Sequence, residues 1–230
     1  MQKDFQLIDT TKIGSLILSY YRCGTHFLQD VLVAQCSVPR VVHNEICDDG
    51  TIRQLQDITN RSTTKDSAKS YTDGAYQICI LNNPEPKFYL RNATDFLSHW
   101  HTIKLTRNNK IEHFISTWFW EYNFLEQRID NTGMFFHHGT PEERYRQQVE
   151  KIGLVSLDPS VVIGWLQNQL ILDLIAADVV IDYDDLETFS SPDVKWSPNQ
   201  YNVALSDLFI NHEEVEDLLL RHTSHTIEQC

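Results

Sequence analysis

An α/β fold built on a central parallel sheet is what this chain predicts, and three observations carry the prediction. Short apolar runs alternate along the sequence with segments of helical spacing, the pattern of strand and crossover helix. The 230 residues are 41% hydrophobic and 11% aromatic, enough to form a core without disulfide staples. No internal repeat or low-complexity tract interrupts the alternation, so one domain over 1–230 is expected.

The first apolar run, Ser15-Leu16-Ile17-Leu18-Ser19-Tyr20, reads as a buried strand. It passes through Tyr21-Arg22-Cys23-Gly24-Thr25 into a helix whose Phe27, Leu28, Val31 and Leu32 take helical spacing. Residues 60–74, rich in Thr, Ser, Lys and Asp, read as a mobile surface excursion. Residues 76–81 are a second strand, stopped by Asn82-Asn83-Pro84; 94–98 are a short helix; 101–106 are a strand ending at Arg107. A long aromatic helix follows over 111–128. Pro141-Glu142-Glu143 opens another, with acids near the positive end of the helix dipole. Asp158-Pro159 starts a helix to about 177, residues 179–183 are a buried strand, and 213–222 close the chain with Val215, Leu218 and Leu219 on one helical face.

Charge and cysteine content narrow the function. With 19 Lys+Arg against 32 Asp+Glu, a net −13, a broad basic face for nucleic acid is not expected, although a local basic pocket is compatible with that balance. Five cysteines without a CxxC pair favour a reducing, cytoplasmic setting over a disulfide framework or zinc ribbon. The apolar run 161–180 is broken by Gln167, Asn168, Gln169, Asp173 and Asp178, so no membrane span is expected, and the N-terminus carries no apolar signal core. The glycosylation sequons at Asn60 and Asn92 are therefore read as chance.

Open α/β sheets bind ligands beyond the carboxyl ends of their strands, which directs attention to three strand ends. The turn Tyr21-Arg22-Cys23-Gly24-Thr25-His26 would aim backbone N–H groups and a helix dipole at an anion. It lacks the lysine of a Walker A loop. Leu105-Thr106-Arg107, with Ser116 nine residues on, offers a guanidinium and a hydroxyl for a second phosphate. Asp182-Tyr183-Asp184-Asp185-Leu186 places an aromatic ring at the third strand end.

In this order the three segments resemble the superfamily of sulfotransferases, P-loop-like proteins that use 3′-phosphoadenosine 5′-phosphosulfate (PAPS), and the spacing is closest to bacterial members. The resemblance runs from about Lys12 to Leu186. It implies a three-layer fold and in-line transfer of a sulfonate from PAPS to a hydroxyl or amine, with 3′-phosphoadenosine 5′-phosphate (PAP) as product and no metal. Residue by residue, it implies that Arg22, Gly24, Thr25 and His26, with Cys23 and Phe27 in the same segment, hold the 5′-phosphosulfate. Arg107 and Ser116 would hold the 3′-phosphate, Tyr183 would line the pocket, and Lys195 loosely replaces a C-terminal Arg-Lys-Gly element. The histidine that follows the second strand in animal members is absent from Ile80-Leu81-Asn82. Glu45, 21 residues past Gly24, takes the place of the base used by some bacterial and carbohydrate-sulfating relatives, with His43 as second choice. Tyr21 and Cys23 stand where the family has proline and serine.

The implied acceptor is a small molecule or carbohydrate, with neither nucleic acid nor membrane as partner; the sequence fixes no oligomeric state. Two other functions fit the same segments: a non-catalytic nucleotide-binding scaffold, and an ATP-using P-loop kinase. His99-Trp100-His101 would put two imidazoles on one strand face, and His137-His138 form a second pair. Both read as structural or surface histidines, because a metal needs three or four convergent ligands.

Overall fold

The structure is a computed structural model that describes residues 5–20, 22–37, 39–44, 76–82, 97–119, 153–173, 175–198 and 203–224. These form two compact units, residues 1–107 with 168–196, and residues 108–167 with 197–230.

The first unit holds a five-stranded sheet. Its strands are β1 (Gly14–Ser19), β2 (Pro39–Asn44), β3 (Tyr76–Asn82), β4 (His101–Thr106) and β5 (Val179–Asp182). They lie in the order β2-β3-β1-β4-β5, and every neighbouring pair is parallel. Helix α1 (Thr25–Gln35) packs on β2 and β3, so the chain is α/β with a parallel sheet and flanking helix, as expected. The central strands are apolar because both faces are covered. Leu16, Ile17 and Leu18 of β1 and Ile78, Cys79, Ile80 and Leu81 of β3 have no exposed surface. Gly14 is required at the start of β1, since a Cβ there would run into the backbone carbonyl of Gln77 on β3.

Several expectations are corrected. Residues 39–44 form an edge strand that the alternation of apolar runs does not predict. Pro39 is its first residue, where the missing N–H costs no ladder bond. Residues 76–82 are consequently the third strand in chain order, not the second. Tyr183 does not continue β5; Asp182 caps a 3₁₀ helix, Tyr183–Phe189, its carboxylate accepting from the N–H of Asp184 at 3.1 Å. His99 lies in a turn before β4, so it shares no strand face with His101. The helix after Asp158, α3 (Pro159–Asp173), ends four residues early. Its last carbonyls, those of Asp173 and of Ile175 just beyond, accept hydrogen bonds from buried Lys104 at 3.2 and 3.1 Å.

Helix α2 covers 110–119 among the described residues. The second unit takes its core from aromatic rings: Phe114 lies 5.3 Å from Trp165 and 6.2 Å from Phe209, and Trp118 lies 5.2 Å from Phe209. Val155 and Phe209 form a parallel bridge, and the Asn211 amide pairs with both the N–H and the carbonyl of Leu157. Helix α4 (His212–Ser224) adds buried Val215 and Leu219. The mobile excursion read at 60–74, the helix at Pro141, His137-His138, most of the helix at 94–98 and the end of the one to 128 lie outside the described residues.

Candidate functional site

The strand order creates one topological switch point. From β1 the chain crosses towards β2 and β3, whereas from β4 it crosses the other way to β5, and β1 and β4 are hydrogen-bonded neighbours. Their carboxyl ends lead into connections of opposite direction, and such a point is where open α/β sheets hold their ligand crevice. Ser19 pairs with Leu105 at this edge, so the turn after Ser19 and Arg107 after Thr106 flank the same crevice.

The turn after β1 has an unusual backbone. Arg22 and Gly24 both occupy the left-handed region, at φ 67° and 84°. For a residue other than glycine this costs roughly 1–2 kcal/mol. Gly24 is the N-cap of α1, and its carbonyl accepts the first helical bond from Leu28 at 3.2 Å. No acidic residue occupies the first turn of α1, leaving the positive end of its dipole without a neutralising side chain there. Cys23 and Thr25 are buried, Arg22 is partly exposed and His26 is exposed.

Glycine at 24 answers to the protein itself. A Cβ there would collide with Leu186 and come 3.1 and 3.3 Å from the Trp196 ring. That indole also meets Phe27 at 4.9 Å between ring centres and Tyr183 at 4.9 Å, edge to face. Tyr183 in turn carries the Arg107 guanidinium 4.1 Å above its ring centre. Arg107 is only 4% exposed. A cation so placed over a ring is attracted by the ring's negative face.

The structure thus gathers Arg22, Cys23, Gly24, Thr25, Phe27, Arg107 and Tyr183 in one unit at one edge. Lys195 is exposed and precedes Trp196 directly. Ser116 is a buried residue of the second unit. His43 is the penultimate residue of β2, in register with Ile80. Glu45 lies outside the described residues, directly after Asn44. Since Asn44 pairs with Leu81 and Leu81 with Leu18, β2 ends level with β1, two strand spacings away or about 10 Å.

Two contributors escaped the sequence reading. Leu186 and Trp196 close over the glycine turn, and their one local signal is the serine-rich segment that holds the indole. There Ser190 Oγ accepts from the N–H of Trp196 at 3.0 Å, Ser191 Oγ accepts from that of Val194 at 3.0 Å, and Ser191 N–H donates to the Val194 carbonyl at 2.8 Å.

The histidine expected to be structural behaves so. His101 is buried, its Nε2–H donates to the Gln6 carbonyl at 2.7 Å, and its Nδ1 lies 3.7 Å from Asp178. Among the described residues no three His, Cys, Asp or Glu side chains gather as metal ligands would, and no helix is long and apolar enough to cross a membrane. Comparison of the chain with family models, with curated proteins and with solved structures finds no match.

Proposed function

We propose that the crevice between β1 and β4 binds an adenosine nucleotide with two separated anionic groups, and that the protein is a PAPS-dependent sulfotransferase. The observation that carries this reading is the shared position of two anion-binding elements. The left-handed turn that opens α1 and the Arg107–Tyr183 stack flank one switch point, joined through Trp196.

In this reading the N–H groups at the start of α1, with Arg22, Thr25 and His26, take the 5′-phosphosulfate. Arg107 takes the 3′-phosphate. Transfer is a single in-line displacement: the acceptor oxygen or nitrogen bonds to sulfur as the bond from sulfur to the bridging phosphate oxygen breaks. The electron pair of that bond stays on the 5′-phosphate of PAP. Negative charge grows on that oxygen, so donors already fixed around the turn stabilise the transition state more than the ground state. The acceptor's proton passes to a base, proposed as Glu45 with His43 as alternative, for a contribution of about 10²–10⁴-fold. His43 is the penultimate residue of β2, and Asn44, which ends that strand, is level with Leu18 of β1 through Leu81.

Thermal shift with PAP, AMP and ATP tests the binding half. A ligand at 100 times its Kd adds about 2.7 kcal/mol to the folded state, worth roughly 5–10 °C in Tm at this chain length. PAP is expected to stabilise strongly and AMP weakly. A larger shift with ATP, dependent on magnesium, would replace the sulfotransferase with the kinase. Sulfonate transfer from PAPS across hydroxyl and amine acceptors, lost in Glu45→Gln, tests the chemistry. Tight PAP binding with no turnover and no effect of that substitution would leave a non-catalytic nucleotide binder.

A further inference from the structure

The indole of Trp196 occupies an unusual place. It touches the glycine turn after β1, the first turn of α1 through Phe27, and the ring that carries Arg107 after β4. It belongs to neither strand end. It arrives from a short segment after β5 that closes on itself by the Ser190, Ser191 and Val194 hydrogen bonds. Leu186, fully buried, fills the remaining space against Gly24.

We propose that Trp196 is a positioning residue that sets the distance between the turn and Arg107, and so makes the crevice selective for ligands whose two anionic groups match that distance. The inference rests on the two-phosphate reading of the site and adds to it the residue that fixes the span. The physical reason is geometric. The turn follows β1 and Arg107 follows β4, and the two elements differ in kind: a backbone with two left-handed residues and a long arginine side chain. A rigid bicyclic ring wedged between Gly24 and Tyr183 links them, because any drift of the turn must displace the indole and, through it, the arginine stack. A ligand with one phosphate engages one element and is indifferent to the span. A ligand with two gains from both only while the span is held.

The test compares wild type with Trp196→Ala, Trp196→Leu and Trp196→Phe in the full chain. The first readout is the ratio of Kd for AMP to Kd for PAP, measured by calorimetry. We expect Ala and Leu to lower this ratio about tenfold or more by weakening PAP while sparing AMP, and Phe to restore most of it. General loosening would weaken both ligands together and leave the ratio intact, which would overturn the proposal. The second readout needs no ligand. Amide hydrogen exchange should quicken at 22–28 and at 105–107 together in Trp196→Leu, which keeps apolar bulk if Ala does not fold. Quickening confined to 190–196 would also overturn it. If wild type itself does not distinguish PAP from AMP, the nucleotide reading fails, and the exchange pattern alone decides whether Trp196 couples the two elements.

Discussion

The two edges of the sheet are held by different forces. At the amino-terminal edge, polar groups are consumed by one another. Asp178 accepts from both the N–H and the hydroxyl of Thr102, at 2.7 and 2.8 Å, and the Thr102 hydroxyl accepts from the Asp178 N–H at 3.0 Å. Beside it, Ser15 Oγ donates to the Leu7 carbonyl and lies 3.0 Å from the Tyr76 hydroxyl, which accepts from the Asp9 N–H. Burial, only partly offset by these bonds, pushes the Tyr76 phenol above its ordinary range. At the carboxyl-terminal edge, Asp182 accepts from the Thr106 hydroxyl at 3.3 Å and the Asp184 N–H at 3.1 Å, and beside it lie aromatic rings, a guanidinium over a ring and a glycine that permits close approach. An edge that satisfies itself with short hydrogen bonds anchors the chain. An edge assembled from rings, a glycine turn and two arginines is built from larger and more adjustable side chains.

Substitutions can break this contrast. The largest effect is expected at Gly14, where an alanine Cβ meets a neighbouring strand's backbone that cannot move aside. Gly14→Ala should cost about 3 kcal/mol, a Tm fall of roughly 10 °C by calorimetry, with the PAP-to-AMP preference of the folded fraction unchanged. Gly24→Ala should cost about 2 kcal/mol, from the left-handed φ and the clash with Leu186, and here PAP affinity should fall as well. A Gly24→Ala protein that binds PAP normally would remove the turn from the site.

Arg107→Ala should weaken PAP about 10- to 100-fold, the range of a lost charge-assisted hydrogen bond, and leave AMP close to its wild-type value. Arg22→Gly separates stability from binding. Glycine relieves the strained φ of 67°, so Tm should hold or rise by a few degrees, about 1 kcal/mol at most, while affinity for the phosphosulfate drops. A fall in both would show that Arg22 serves the fold.

The smallest effect belongs to the anchoring edge. Burial alone would raise the Asp178 carboxyl, but the hydrogen bonds from Thr102, helped by His101 and Lys12, hold it below its ordinary value. Its unfolded pKa is about 3.9, and its folded value is lower. Its contribution is therefore present above that unfolded pKa and disappears as pH falls through the folded pKa. Asp178→Asn should cost about 1 kcal/mol at neutral pH, reduced by the half-exposure of the side chain. The difference from wild type should shrink below about pH 4, measured by urea titration across pH.

Much of this architecture is written in local pattern. The β4 strand, from His101 to Thr106, matches its expected bounds, and β1 and β3 differ by a residue at their ends, because doubly covered strands must be apolar throughout. The edge strand β2 escaped because Pro-Arg-Val-Val-His-Asn carries a short apolar pair flanked by polar residues, all that a strand with one neighbour requires. Arg22, Gly24, Arg107 and Tyr183 could be named in advance because each follows a strand directly. Leu186 and Trp196 could not, since what qualifies them is a tertiary approach to Gly24 and no periodicity announces it. Strand order was equally hidden: nothing in the sequence of β1 states that β3 and β4, not β2, become its neighbours.

The closure of Trp196 onto Gly24 has a consequence for biosynthesis. The two residues are 172 positions apart (196 − 24), and β5, which delivers the closing segment, joins the sheet only after some 70 residues of intervening chain have been made. At about 5–20 residues per second, the amino-terminal strands wait roughly 10–35 s on the ribosome before their last contact partner emerges. A nascent chain cut short before residue 196 would hold every strand of its sheet and lack the indole that closes on Gly24, so the packing around the glycine turn is completed late in translation rather than growing with chain length.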